Sequence, residues 1–114
     1  MTNSRGLVNG RHYTDYVGTI KELKRNNQYP EAISILLQCA DAVEEEATAN
    51  RWGLAPWYYE QLAIIYRKQK DPVNEIKILE RFAKQKHNFL YAPKLIERLE
   101  KLKTNMDSDI RLPK

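Results

Sequence analysis

The chain has 114 residues, of which 42% are hydrophobic and 30% charged, a composition typical of one globular domain. No apolar run approaches the roughly 20 residues of a membrane helix, and the first residues carry no apolar signal segment, so we expect neither a membrane span nor a secretory signal. The single cysteine, Cys39, has no partner for an internal disulfide, and this favours a reducing, cytoplasmic location.

The net charge of +4 is unevenly distributed along the sequence. Residues 1–30 carry +3, residues 31–50 contain five acidic and no basic residues, and residues 51–114 carry +6. An acidic segment between two basic ones predicts a fold with oppositely charged faces, one of which is suited to an acidic partner.

Helical periodicity begins near residue 12. In the first segment Tyr13, Tyr16, Val17, Ile20 and Leu23 share one helical face. Asn-Asn-Gln at 26–28 interrupts the pattern before a second segment that is apolar over a wide arc, as expected of a helix buried from two sides. We predict helices over 12–27 and 30–49.

Proline marks the start of each later helix. Pro56 opens a third segment, Asp71 and Pro72 form an N-cap and first-turn pair for a fourth, and a fifth lies around Pro93. We predict these helices over 56–69, 72–86 and 92–103, with Gly53 as a cap in the connection before the third. No segment alternates long enough to predict a strand, so the predicted fold class is all-α.

We expect three regions: a flexible basic segment over 1–11, a single helical domain over 12–104, and a polar disordered tail over 105–114. The residues predicted to form the core combine large apolar and small side chains from the first four helices. They are Tyr16, Ile20, Leu23, Leu36, Ala40, Leu62, Ala63, Tyr66, Leu79 and Phe82.

The third segment resembles the first half of a tetratricopeptide repeat. Tyr59 stands at the family's tryptophan position, while Leu62, Ala63 and Tyr66 match the pattern. Around Ala32 the second segment is similar to the repeat's second half, as is the fourth segment, although Glu75 there replaces the expected alanine. Ala32 and Glu75 are 43 residues apart, whereas the family's period is about 34. The resemblance covers residues 13–86 and implies stacked antiparallel helical hairpins, a fragment of an α-solenoid.

By the same resemblance, the first helix of each hairpin lines a concave surface that binds a protein partner. The implied function is a non-catalytic adaptor that binds an acidic or extended peptide on a basic face. Its expected contact residues are Lys21, Lys24, Arg25, Trp57, Gln61, Arg67, Lys68 and Arg98. Asp41, Glu44 and Glu45 are expected on or near the opposite, convex side.

Few residues are of the types that carry out catalysis or bind metals, and we expect no metal, no cofactor and no catalytic constellation. The Glu44–Glu46 run is interpreted as a solvated face, because no histidine accompanies it. His12 and His87 are far apart in sequence and are expected in surface or capping roles. Cys39 lies on the apolar face of the second helix and is expected to be a core residue.

Two other functions remain open at this point. A pI of about 9.2 and basic helices also suit nucleic-acid binding. Two hairpins and one extra helix are fewer than the roughly three repeats that usually make a stable solenoid, so self-association into a homodimer would cover an exposed apolar face.

Overall fold

The computed structural model describes residues 6–50, 55–85 and 93–111. Among these residues a short hairpin, β1 (Leu7–Val8) and β2 (Arg11–His12), leads through a 3-10 turn (Tyr13–Tyr16) into α1 (Val17–Arg25). The chain continues through α2 (Tyr29–Asn50), α3 (Pro56–Lys68), α4 (Pro72–Ala83) and a helix here called α5 (Pro93–Arg111). The predicted all-α class is confirmed, with the two-residue strands as a small addition.

Each helix packs against the next one along the chain, so α2 lies between α1 and α3, and α4 lies between α3 and α5. The Cα radius of gyration is 15.4 Å, above the roughly 13 Å expected of a compact domain of this length. None of the described helices is both long enough and apolar enough to cross a lipid bilayer.

The turns after α1 and α3 share one capping geometry. Asn27 and Lys70 both adopt left-handed backbone conformations, with φ of 59° and 56°. In each turn the next backbone amide bonds back across the helix end, from Gln28 to the carbonyl of Leu23 at 2.8 Å and from Asp71 to that of Tyr66 at 2.9 Å. These bonds satisfy carbonyls that the helix leaves unpaired and reverse the chain within a few residues.

The predicted core is largely confirmed. Seven of the ten predicted residues are buried: Ile20, Leu36, Ala40, Leu62, Ala63, Leu79 and Phe82. The other three, Tyr16, Leu23 and Tyr66, are partly buried against them. The core also contains residues that we did not predict, among them Tyr59, Ile65 and three leucines of α5, Leu95, Leu99 and Leu102.

The structure differs from the prediction at both ends. We expected a flexible segment over 1–11, but residues 7–12 form the hairpin and Val8 is 4% exposed. The expected tail over 105–114 is helical as far as Arg111, eight residues beyond the predicted end of the helix at 103. Residues 1–5 and 112–114 lie outside the described residues, as do Gly53 and His87.

Candidate functional site

Basic side chains of α1 and α3 meet on one surface of the bundle. Lys24 Nζ donates a hydrogen bond to Oε1 of Gln61, which joins the end of α1 to the middle of α3. Lys68 lies two turns beyond Gln61 on α3 and is exposed, as is Lys21 one turn before Lys24. We call Lys21, Lys24, Gln61 and Lys68 the basic face.

Positive charge is in excess around Lys24 on this surface. Partial burial of Lys24 and repulsion from Lys68 lower the pKa of the Lys24 ammonium group, and Glu60 offsets only part of the effect. Two ammonium groups are therefore held within electrostatic range of each other. An anionic group bound near them would reduce this repulsion.

Two predicted contact residues have an internal partner instead. Glu75 on α4 is 2% exposed, and its Oε2 accepts hydrogen bonds from Nε of Arg67 at 3.2 Å and Nε of Arg98 at 2.9 Å. Arg98 also donates from Nη2 to Oε1 at 3.3 Å. The carboxylate thus joins α3, α4 and α5, and both arginines are engaged in holding the helices together.

The two arginines also explain how a glutamate can be buried at position 75, where the sequence resemblance led us to expect alanine. A buried carboxylate is tolerated when it is paired and hydrogen-bonded. Arg67 is eight residues from Glu75 in sequence and Arg98 is 23 residues from it. Neither separation indicates that the side chains meet.

Arg25 and Trp57 are the two remaining predicted contact residues. Arg25 forms an exposed ion pair with Glu22 on its own helix. The Trp57 ring is partly buried and contacts Tyr58 edge-to-face at 5.0 Å between centroids. Its role as an anchor for a partner stays a prediction.

The interpretation of Glu44–Glu46 as a solvated face is wrong for two of the three residues. The Glu44 side chain is 25% exposed, and its Oε2 accepts from the hydroxyl of Tyr59 and from Nε of Arg81, both at 2.6 Å. Arg81 also donates to Asp41 at 2.6 Å. Glu44 is therefore held inward because α3 and α4 present donors to it.

Glu45 and Glu46 hold the N-terminal hairpin on α2. Glu45 accepts from the backbone amide of Gly6 at 3.1 Å. Glu46, whose side chain is 20% exposed, accepts from the Tyr13 hydroxyl at 2.6 Å and pairs with Nε2 of His12 at 2.7 Å. We call these contacts the N-terminal clasp.

Opposing effects act on the Glu46 carboxyl in this clasp. Burial alone would raise its pKa, but hydrogen bonds from Tyr13 and His12 together lower it. His12 Nδ1 also accepts from the Thr14 amide at 3.3 Å and caps the 3-10 turn. The expected capping role of His12 is therefore confirmed.

The remaining acidic surface lines a shallow recess of about 330 Å³ between the hairpin and α2. Its lining residues are Leu7, Val8, Asn9, Gln38, Asp41, Ala42 and Glu45. Among the described residues, Asp41, Glu44 and Glu45 bond to Gly6, Tyr59 and Arg81 and not to residues of the basic face. Within the described ranges, no group of three or more histidine, cysteine, aspartate or glutamate side chains is arranged to hold a metal ion.

Cys39 is buried as predicted. Its Sγ lies 4.0 Å from the carbonyl oxygen of Tyr13, and burial raises the pKa of the thiol to about 11. The thiol is therefore protonated at neutral pH, unlike a nucleophilic cysteine.

Comparison with known proteins adds no further constraint: no protein-family model, no curated protein and no solved structure matches the chain. The basic face and the helix arrangement that positions it are therefore the features from which we infer a function.

Proposed function

We propose that this protein is a non-catalytic interaction module, similar to a tetratricopeptide-repeat adaptor, that binds an acidic or extended peptide on its basic face. The observation that carries the proposal is the convergence of Lys24 from α1 with Gln61 and Lys68 from α3. Donors from two helices on one surface match a partner that runs across both helices rather than along one.

The capping geometry supports a repeated hairpin as the basis of this surface. The left-handed residues Asn27 and Lys70 are 43 residues apart, the same interval as between Ala32 and Glu75. Ala32 and Glu75 are both buried, at 0% and 2% exposure. Two hairpins with equivalent turns and equivalent buried positions favour a duplicated unit, in which α1 and α3 are equivalent first helices.

Because Arg67 and Arg98 both form ion pairs with Glu75, we assign fewer residues to binding than the sequence predicted. We assign the main contacts to Lys21, Lys24 and Lys68, whereas Gln61, which is only 9% exposed and accepts from Lys24, positions the Lys24 ammonium group. Arg67, whose side chain is 49% exposed, and Arg98 are assigned to positioning the helices through Glu75. The Nε donor of each arginine is already taken by the buried carboxylate and is not free for a partner.

Charge reversal tests this assignment. The double variant Lys24→Glu with Lys68→Glu should abolish measurable binding to a synthetic glutamate-rich peptide, followed by fluorescence anisotropy. The control, Lys77→Glu with Lys84→Glu, makes the same change in charge at exposed positions of α4 and just after it. It should weaken binding only slightly. Equal losses in the two variants would show that net charge, rather than this face, determines binding.

Arg67→Glu is unsuitable for such a test, because it would place a second carboxylate beside buried Glu75 and destabilise the fold. Thermal unfolding of each variant should therefore be measured alongside binding. The parent protein should also be titrated with a single-stranded oligonucleotide. Tighter and more steeply salt-dependent binding to the oligonucleotide than to the peptide would favour nucleic-acid binding over the adaptor function.

A further inference from the structure

The turn of the N-terminal hairpin contains a reactive pair of residues. Asn9 and Gly10 connect β1 to β2, with Val8 paired to Arg11, and both turn residues have positive φ, 51° and 84°. These angles and the Asn-Gly sequence are typical of a two-residue type I′ turn. Asn9 is exposed, and no atom lies within 4 Å of the space that a Cβ on Gly10 would fill.

We propose that Asn9 is a site of spontaneous deamidation, and that its conversion loosens the hairpin from α2. Asparagine is among the chemically labile residues, and a following glycine leaves the backbone nitrogen open to reaction. In the part of the chain described, Asn9 combines this sequence with exposure and with a turn at the tip of the shortest elements of the fold.

The reaction needs only water. The deprotonated amide nitrogen of Gly10 attacks Cγ of Asn9, the new C–N bond closes a five-membered succinimide, and the bond to Nδ2 breaks with release of ammonia. Water then adds to one of the two ring carbonyls and opens the ring, leaving either aspartate or isoaspartate at position 9. The net change is hydrolysis of one side-chain amide to a carboxylic acid, which ionises at neutral pH.

Local opening of the hairpin allows the nitrogen to reach Cγ. The strands have two residues each, and a two-stranded hairpin is marginally stable by itself. Its attachment depends on the clasp and on buried Val8, while the turn residues Asn9 and Gly10 are exposed. Small local openings at such a tip occur far more often than global unfolding.

The surroundings of Asn9 make the product unfavourable in the folded state. Asn9 lines the recess together with Asp41 and Glu45, so a new carboxylate would stand beside two existing ones. Like charges on neighbouring elements are destabilising. Isoaspartate would also lengthen the backbone by one carbon, and the pairing of Val8 with Arg11 cannot then be kept.

Peptide mass spectrometry tests the first part of the proposal. Cleavage after arginine yields residues 6–11, which contain Asn9, and cleavage after lysine and arginine yields residues 71–77, which contain Asn74. Asn74 is the internal control, because it precedes glutamate within a helix and its Nδ2 donates to Asp71 at 2.7 Å. After incubation of the intact protein in mildly alkaline buffer, the Asn9 peptide should show the mass gain of deamidation several-fold faster. Equal rates at the two sites would overturn the proposal.

Hydrogen exchange tests the second part. Deamidated protein, separated by ion exchange, should exchange the amides of residues 6–16 faster than intact protein, while those of α3 stay unchanged. The variant Asn9→Gly keeps a residue suited to positive φ but removes the reactive amide, so its hairpin exchange should stay constant during the same incubation. If deamidated and intact protein exchange equally in the hairpin, the loosening is refuted even if the chemistry occurs.

Discussion

Glu75 is paired with two arginines that differ in exposure and in the number of bonds they donate, and this difference predicts unequal effects of removing them. Arg98 donates two hydrogen bonds, and its side chain is 30% exposed. Arg67 donates one, and its side chain is 49% exposed. Hydrogen bonds to charged groups contribute about 1.5–3 kcal/mol each when sheltered, and exposed pairs about 1 kcal/mol or less.

Arg98→Ala should therefore lower the free energy of unfolding by about 2–4 kcal/mol, because it removes two bonds and leaves a buried carboxylate with one exposed partner. Arg67→Ala should cost about 1 kcal/mol or less, because its single bond is partly screened by solvent. Arg25→Ala is the matched control, since its ion pair lies on one helix and its side chain is 69% exposed. That variant should cost about 0.5 kcal/mol or less.

Urea unfolding followed by circular dichroism measures all three values. A double-mutant cycle with Glu75→Gln isolates the interaction, and the cost of Arg98→Ala should fall by about 1–3 kcal/mol when position 75 is neutral. A larger cost for Arg67→Ala than for Arg98→Ala, or an unchanged effect of Arg98→Ala in the Glu75→Gln background, would show that Arg98 is not the main partner of Glu75.

Three further predictions concern the core, the clasp and the buried thiol. Leu62→Ala, at a position with 0% exposure, should cost about 2–5 kcal/mol, whereas Val73→Ala, at 53% exposure, should change stability by less than about 0.5 kcal/mol in the same urea assay. Because the folded pKa of Glu46 is lowered, its contribution is fully present above the unfolded value of about 4.3 and is lost as pH falls through the folded value. Glu46→Gln should remove this part of the pH dependence of unfolding. Cys39, with a thiol pKa raised to about 11, should react with a disulfide reagent far more slowly in the folded protein than in denaturant; similar rates would place the thiol at the surface.

The helices were predictable because the spacing of apolar residues and the prolines at helix starts are local sequence signals. Pro56 and Pro72 are the first residues of α3 and α4, as predicted, and Asp71 accepts from the Asn74 amide at 3.1 Å as an N-cap. Helix ends were less accurate. The helix α5 extends to Arg111, and Met106 and Ile110 continue the apolar spacing of Leu102 within a mostly polar stretch that we had assigned to a tail.

The N-terminal hairpin was missed although it had a signal. Asn9-Gly10 is a strong hairpin sequence, but its strands are too short to show the alternation that predicts a sheet. The attachment of the hairpin depends on Glu45 and Glu46, which lie more than thirty residues away and whose role was concealed within an acidic run.

The candidate site was predictable only in part. Resemblance to a helical repeat placed Lys24, Gln61 and Lys68 on first helices, and the Lys24–Gln61 hydrogen bond joins two of them. Sequence position could not show that Arg67 and Arg98, unlike these residues, form ion pairs with Glu75. Those pairs depend on how α4 and α5 pack. Long-range ion pairs are set by tertiary structure, and sequence spacing alone does not reveal them.

The most direct test of the proposed function is a nuclear magnetic resonance titration of the intact protein with the glutamate-rich peptide. We predict that the largest shift changes fall on Lys21, Lys24 and Lys68 and on the side-chain amide of Gln61, which is bonded to Lys24, and that they diminish as salt is raised. Changes concentrated on the recess around Asp41 and Glu45, or no saturable change at all, would contradict it.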